Sequence, residues 1–239
     1  ENRRTHINID KYLKSMDAKS VLSETSNNFT GMNPYFLDYL TKDPKIKPDN
    51  KVLEIGCSIA CLSLPVIKYL KNGQYFGVDH DRKCIEWARS HISPCCNTIF
   101  RCIRENDNFL LPFDNETFDL IYSTTTFTTL SPNDLPKYFS EINRVLKKDG
   151  MLIISLFISN NDILTQLSAK KNKIKLIVKN DNNLSVISHC NEHVIVHDDN
   201  FIGKCANKNN FTLKEIIFGN WNELSSSDNI GDIMCLIKK

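Results

Sequence analysis

Glycine is scarce in this chain, with 8 residues in 239. The shortage excludes a complete G-x-G-x-x-G dinucleotide fingerprint at its main strand–turn–helix corner, where Gly56 is followed by Ser58 and Cys61. Long apolar runs are missing too. None approaches the roughly 20 residues of a helical membrane span. Net charge is only +2, so no global field calls for nucleic acid or an acidic membrane. The nine cysteines include no C-x-x-C pair, and Cys57, Cys102 and Cys235 sit in apolar, strand-like stretches. That pattern reads as free, buried thiols in a reducing cytosol rather than as a disulfide framework or a zinc site. The opening, ENRRTHINIDKYLK, is polar and shows no secretory signal, which points to a cytoplasmic protein; sequence upstream of Glu1 is left open. There are no repeats and no low-complexity tract.

What is present suits one α/β domain with a small insertion: 41% hydrophobic and 24% charged residues. The chain is organised around KVLEIGCSIA, Lys51 to Ala60. Lys51 to Ile55 reads as a strand, Gly56 breaks it, small residues follow, and CLSLPVIKYL continues at helical spacing. A strand, a tight turn of small residues and a helix start let backbone approach an anionic or nucleoside-bearing ligand. Asp79 ends the next strand, QYFGVD, where a carboxylate can accept from two ribose hydroxyls.

Along the chain, residues 1–30 form an N-terminal segment or lid, and the domain runs from 31 to 239. The spacing predicts a helix from Ile59 to Leu70, a strand at 74–79, a helix at 82–92, a strand at 97–103 and a fourth strand in FDLIYSTTT. A helix capped by Ser131 or Asn133 is expected over LPKYFSEINRVLKK, ending at Asp149-Gly150 before a fifth strand, MLIISLF. Strands alternating with helices at this spacing give a doubly wound, mostly parallel sheet. The rhythm then changes: 173–190 reads as a β-hairpin turning at Asn180 to Asn183, within an insertion at about 160–205. A helix capped by Asp198 or Asp199 and an antiparallel closing pair, FTLKEIIFGNW and GDIMCLIKK, finish the chain.

These residues carry a family resemblance. Glu54-Ile55-Gly56-Cys57-Ser58-Ile59-Ala60 resembles the acidic-x-G-x-G-x-G turn of class I S-adenosylmethionine-dependent methyltransferases, with Ser58 and Ala60 in place of two glycines. Asp79, LPFDNETFDLIYS and EINRVLKKDGMLIISLF are similar to that family's later segments, in order and spacing. The resemblance implies a Rossmann-like, seven-stranded sheet with an antiparallel last strand and a β-hairpin insertion after strand five. It implies S-adenosyl-L-methionine as cofactor and S-adenosyl-L-homocysteine as product. The subgroup it looks like modifies small molecules or glycans, so the expected acceptor is of that kind, methylated at oxygen. The near-neutral charge weighs against nucleic acid. Protein or RNA methylation, and a non-catalytic cofactor-binding scaffold, are the alternatives.

By the resemblance, Glu54 holds the methionine amino end, and Gly56, Ser58 and Ala60 let backbone approach the methionine moiety. Asp79 takes the ribose, His80 lies beside the adenine, Asp107 meets the adenine amino group, and Ser123 faces the sulfonium. Thr124, Phe127, Thr129 and Trp221 are expected on the acceptor side. The subgroup commonly has histidine where Thr129 stands, so a general base is not inherited from that position. His189, His193 and His197 in the insertion are the remaining base candidates. Their spacing of four suggests a metal face on a helix, but the intervening Val194-Ile195-Val196 argues for a strand, and no metal is expected.

Overall fold

The computed structural model describes residues 39–40, 45–60, 63–93, 97–103, 109–159, 175–180, 184–189, 192–219 and 231–239. The N-terminal segment 1–30, Asp107 and Trp221 lie outside the described residues. In chain order the elements are β1 (Lys51–Ile55), α1 (Leu64–Tyr69), β2 (Gln74–Asp79), α2 (Arg82–His91), β3 (Thr98–Cys102), β4 (Phe118–Ser123), a 3-10 turn (Thr126–Thr128), α3 (Leu135–Val145) and β5 (Leu146–Ser159). Next come β6 (Lys175–Asn180), β7 (Leu184–His189), β8 (Glu192–Asp198), α4 (Asp199–Lys208), β9 (Phe211–Ile217) and β10 (Asp232–Lys238).

Seven strands make the main sheet in the order β3-β2-β1-β4-β5-β10-β9. Its first five strands pair in parallel, and β10 runs antiparallel to both β5 and β9. This is the expected mostly parallel sheet with an antiparallel closing pair. Strand order reverses between β1 and β4, so the crevice that binds ligands in such sheets opens above the carboxyl ends of these two strands.

Both faces of the sheet are covered, which is why β1, β2 and β4 read as near-continuous apolar runs. Val52, Tyr75, Leu120, Tyr122 and Ile153 pack with α1 and α2 on one face. Leu53, Ile55, Val78, Ile121 and Ile154 pack with α3 and α4 on the other.

Local details depart from the periodicity. The helix expected from Ile59 begins only at Leu64, because the turn after β1 occupies residues 56–60 and Pro65 suits a first helical turn. The α3 N-cap is Asp134, held by Ser131, whose hydroxyl donates to Asp134 at 2.6 Å. That helix stops at Val145 instead of continuing through Lys148, and β5 starts at Leu146. Leu146 fits the apolar stripe of the helix, but it is extended and pairs with Phe118. The Lys238 ammonium donates to the carbonyls of Asn143 and Leu146 and satisfies the helix end. Asp198, not Asp199, caps α4 by accepting from Phe201 N.

The insertion is larger than a hairpin. β6 and β7 form the expected antiparallel pair, and β8 adds a third strand. β8 pairs in parallel with Phe157, Ile158 and Ser159, so the insertion is built onto the carboxyl end of β5, next to the crevice. Cys57, Cys84, Cys102, Cys205 and Cys235 are free thiols; Cys102 is exposed on edge strand β3, not buried as its sequence context implied. Among the described residues no helix is long and apolar enough to cross a membrane.

Candidate functional site

The turn after β1 puts alternate residues in left-handed backbone: Gly56 at φ 80°, Ser58 at φ 47° and Ala60 at φ 54°. For Ser and Ala this conformation costs on the order of 1–2 kcal/mol each. Long-range hydrogen bonds hold it. Gly56 N and Cys57 N both donate to Val78 O, at 2.8 and 3.1 Å, and Ser58 N donates to Asp79 Oδ2 at 2.7 Å. The hydroxyls of Ser123 and Thr126 donate to Ile55 O at 2.9 and 3.2 Å, tying the exit of β4 to the same turn. Gly56 is required twice over: its φ favours glycine, and an added Cβ would come within 2.2 Å of Thr126 Oγ1. Ser58 and Ala60 therefore keep the backbone that glycines would take.

Asp79 is 7% exposed and also accepts from Asp81 N at 2.9 Å. A carboxylate offers about four lone-pair sites, so two protein donors leave room for two hydroxyl donors. His80 is exposed, with Nδ1 3.5 Å from Asp79 Oδ1. The cradle of the turn, its small side chains and this spare acceptor capacity fit a ribose-bearing cofactor.

Glu54 lies beneath the turn, 2% exposed. Ser63 and Tyr75 donate to its Oε2, and Tyr122 donates to the same oxygen at 3.0 Å. Burial raises its pKa to about 7 against the pull of the three hydroxyls, with a smaller upward push from the Asp79 charge. Sequence reading missed Ser63, Tyr75, Tyr122 and Thr126. The one available signal was two tyrosines, with polar tips, in otherwise apolar buried strands.

On the acceptor side, Ser123 is fully buried and Thr124 half-buried at the exit of β4. Phe127 is core: fully buried, with its ring edge-on to Tyr138 and Phe139. Thr129 is exposed and donates to Thr126 O at 3.1 Å. His189 ends β7, and His193 and His197 lie on β8, so the three histidines share no helix face. His197 pairs in register with Ile158 and is fully buried, and neither ring nitrogen has a hydrogen-bond partner of regular geometry. Burial lowers its pKa to about 4, opposed weakly by the main chain of Phe127. Among the described residues no cluster of three His, Cys, Asp or Glu can hold a metal ion. Asp232 was also missed: fully buried, it accepts from Ile158 N and Gly219 N and clamps the end of β5 to the segment after β9.

Comparison with known proteins agrees with this geometry. Residues 52–150, from β1 to the start of β5, match the methyltransferase domain family. A tRNA N(3)-methylcytidine methyltransferase from Schizosaccharomyces pombe is 29% identical over 146 residues, covering 59% of this chain and 46% of that protein. A malonyl-[acyl-carrier protein] O-methyltransferase from Geobacter sulfurreducens is 29% identical over 107 residues, covering 45% of this chain and 38% of that protein. A crystal structure titled as SAM-dependent methyltransferases, from Methanosarcina mazei, shares the fold with a TM-score of 0.57 at 19% identity, over 87% of this chain and 98% of that one. Residues 52–150 thus carry the methyltransferase domain, in agreement with the class I S-adenosylmethionine-dependent resemblance of the sequence. It spans about half the length of the curated relatives it matches.

Two outcomes are expected from the strain and burial in this site. Ser58→Gly relieves left-handed strain but adds chain entropy, for a net gain of about 0.5–1 kcal/mol in chemical denaturation. Ala60→Gly also gives up a buried methyl, worth about 0.8 kcal/mol, and should come out near neutral. A loss of stability in Ser58→Gly would contradict the strain argument.

The second outcome concerns pH. The folded pKa of His197 is depressed, so its contribution is complete above about 6.5 and is lost as pH falls toward about 4. That of Glu54 is raised, so its contribution is complete below about 4.5 and is lost as pH rises through about 7. Each slope integrates to about 3 kcal/mol, and the two oppose each other in the shared window. Urea midpoints of the unmodified chain should therefore vary little between pH 4.5 and 6.5. In His197→Leu they should fall as pH rises, and in Glu54→Gln as pH falls. The same slope in both variants would show the assignments to be wrong.

Proposed function

We propose that this chain transfers the methyl group of S-adenosylmethionine to a small-molecule or glycan acceptor, at oxygen. The observation that carries the reading is the insertion: three strands seated on the carboxyl end of β5, beside the crevice defined by β1 and β4. Added structure at that edge suits recognition of a compact acceptor, while the sheet beneath is a generic cofactor scaffold. When bound, the cofactor supplies a methyl group activated by a sulfonium and a neutral thioether leaving group. In this reading Asp79 binds the ribose, Gly56, Ser58 and Ala60 admit the methionine portion, and His80 and Asp107 flank the adenine. Ser123 orients the cofactor, and Thr124, Thr129 and Trp221 border the acceptor. Alignment and exclusion of water supply much of the rate, and a base of modest strength suffices to take the acceptor proton.

An RNA acceptor is the second reading, favoured by the similarity to a tRNA methyltransferase. Near-neutral charge does not exclude it. The two replaced glycines had suggested a non-catalytic scaffold, but both positions keep the left-handed backbone and so do not favour that reading.

Transfer of radiolabelled methyl from S-adenosylmethionine to a panel of small-molecule hydroxyl and carboxyl acceptors, glycans and total tRNA tests these readings. Label in the first two groups is expected; label confined to tRNA favours the second. Asp79→Ala should weaken cofactor binding by about 1.5–3 kcal/mol in calorimetry, since it removes charge-assisted hydrogen bonds and the anchor of Ser58 N. Unchanged affinity would rule out the ribose assignment. Replacing the hairpin 175–189 by a short turn, which leaves β8 on β5, should abolish transfer while cofactor affinity stays within about tenfold, or 1.4 kcal/mol. A folded variant that transfers at the parent rate would count against acceptor recognition by the insertion.

A further inference from the structure

Three hydroxyls from three different elements converge on one buried carboxylate. Ser63 from the approach to α1, Tyr75 from β2 and Tyr122 from β4 all donate to Oε2 of Glu54. Such a set of donors suits the ionised form: a neutral acid is a weaker acceptor and turns one oxygen into a donor. With Oε2 taken three times, the proton of the neutral form sits on Oε1. The pocket is built for a negative charge, yet among the described residues Glu54 has no ion-pair partner. The neighbouring charge is Asp79, of the same sign. A buried carboxylate without a counter-ion is costly and asks for a cation from elsewhere. Its place is one residue before the Ile55-Gly56 corner, directly under the cofactor turn.

We propose that Glu54 is the counter-charge of the cationic cofactor, and that it sets the preference of the site for the sulfonium of S-adenosylmethionine over the thioether of S-adenosylhomocysteine. Binding the cation releases the Glu54 proton to solvent and leaves carboxylate and sulfonium in the same buried region. After transfer the sulfonium charge is gone, Glu54 takes up a proton again, and the product is held less tightly. Ser63, Tyr75 and Tyr122 are positioning residues that stabilise the ionised form. Because burial holds the free carboxyl near neutrality, this exchange falls within the ordinary working range of pH. The inference rests on S-adenosylmethionine as cofactor and is independent of the acceptor.

Calorimetric titration of the full chain with S-adenosylmethionine and with S-adenosylhomocysteine, at pH 6 and pH 8, tests it. Both ligands carry the same α-amino group, so the ratio of their affinities isolates the sulfonium. The ratio should rise roughly three- to tenfold between the two pH values, as expected for linkage to one proton. Repeating the titration near pH 6.5 in buffers of different ionisation enthalpy should show more proton release with S-adenosylmethionine than with S-adenosylhomocysteine. In Glu54→Gln the ratio should not change with pH. Tyr122→Phe removes one donor and should move the midpoint of the ratio to higher pH, which decides the matter if Glu54→Gln does not fold. A pH-independent ratio in the unmodified chain, a rise that survives in Glu54→Gln, or an unmoved midpoint in Tyr122→Phe would overturn the proposal. Binding of neither ligand to the unmodified chain would overturn the cofactor assignment as well, so the two failures are distinguishable.

Discussion

The hydrogen bond from Ser58 N to the Asp79 carboxylate, together with the paired donation of Gly56 N and Cys57 N to Val78 O, is the constraint on which the site depends. It bends the chain off β1 through three left-handed residues, only one of them glycine. Local preference opposes that path at Ser58 and Ala60, and the end of β2 imposes it. In the proposed function the same carboxylate takes the ribose, so one side chain would both shape the turn and serve the cofactor. Gly56 closes the arrangement from the other side, since only a missing Cβ lets Thr126 approach from the exit of β4.

Beneath the turn lies a buried carboxyl, Glu54, with no cationic partner among the described residues. Held by hydroxyls alone, the buried Glu54 carboxylate destabilises the free fold at high pH, while buried His197, bonded only weakly by the main chain of Phe127, destabilises it at low pH. Glu54 lies under the turn, and His197 on the strand added to β5. Strain and unpaired polar groups concentrated at a ligand site are the usual cost of function in a fold that is otherwise well packed. The hydrophobic layers on both faces of the sheet carry the stability that tolerates them.

The two ends of the site differ in kind. The cofactor end uses the shared sheet, and relatives with this domain include proteins named for acting on tRNA and on an acyl-carrier protein conjugate. At the edge proposed for the acceptor, β5 runs past the sheet to take β8, and Asp232 pins Ile158 N and Gly219 N together. These contacts fix the backbone beside the crevice without supplying an inherited base.

The sequence by itself determined the elements that local pattern encodes. β1, β2, α2, the antiparallel closing pair and the acidic residue at the end of β2 were all legible, because burial on both faces leaves apolar runs in strands and a helix repeats its apolar residues at helical spacing. Gly56 marked the turn. The pattern was ambiguous where one residue fits two periods: Leu146 continues the stripe of α3 yet starts β5. Val194-Ile195-Val196 read as a strand, but its parallel pairing with β5 left no local mark. Only the tertiary structure decided the rest. Tyr122 and Tyr75 reach Glu54 across 68 and 21 residues of chain, and Asp232 reaches Ile158 across 74. Such partners leave no local periodicity, because strand order, not sequence spacing, brings them together. The left-handed backbone of Ser58 was equally out of reach of the sequence, since the bond from its N–H to Asp79 on a neighbouring strand overrules what the residue prefers alone.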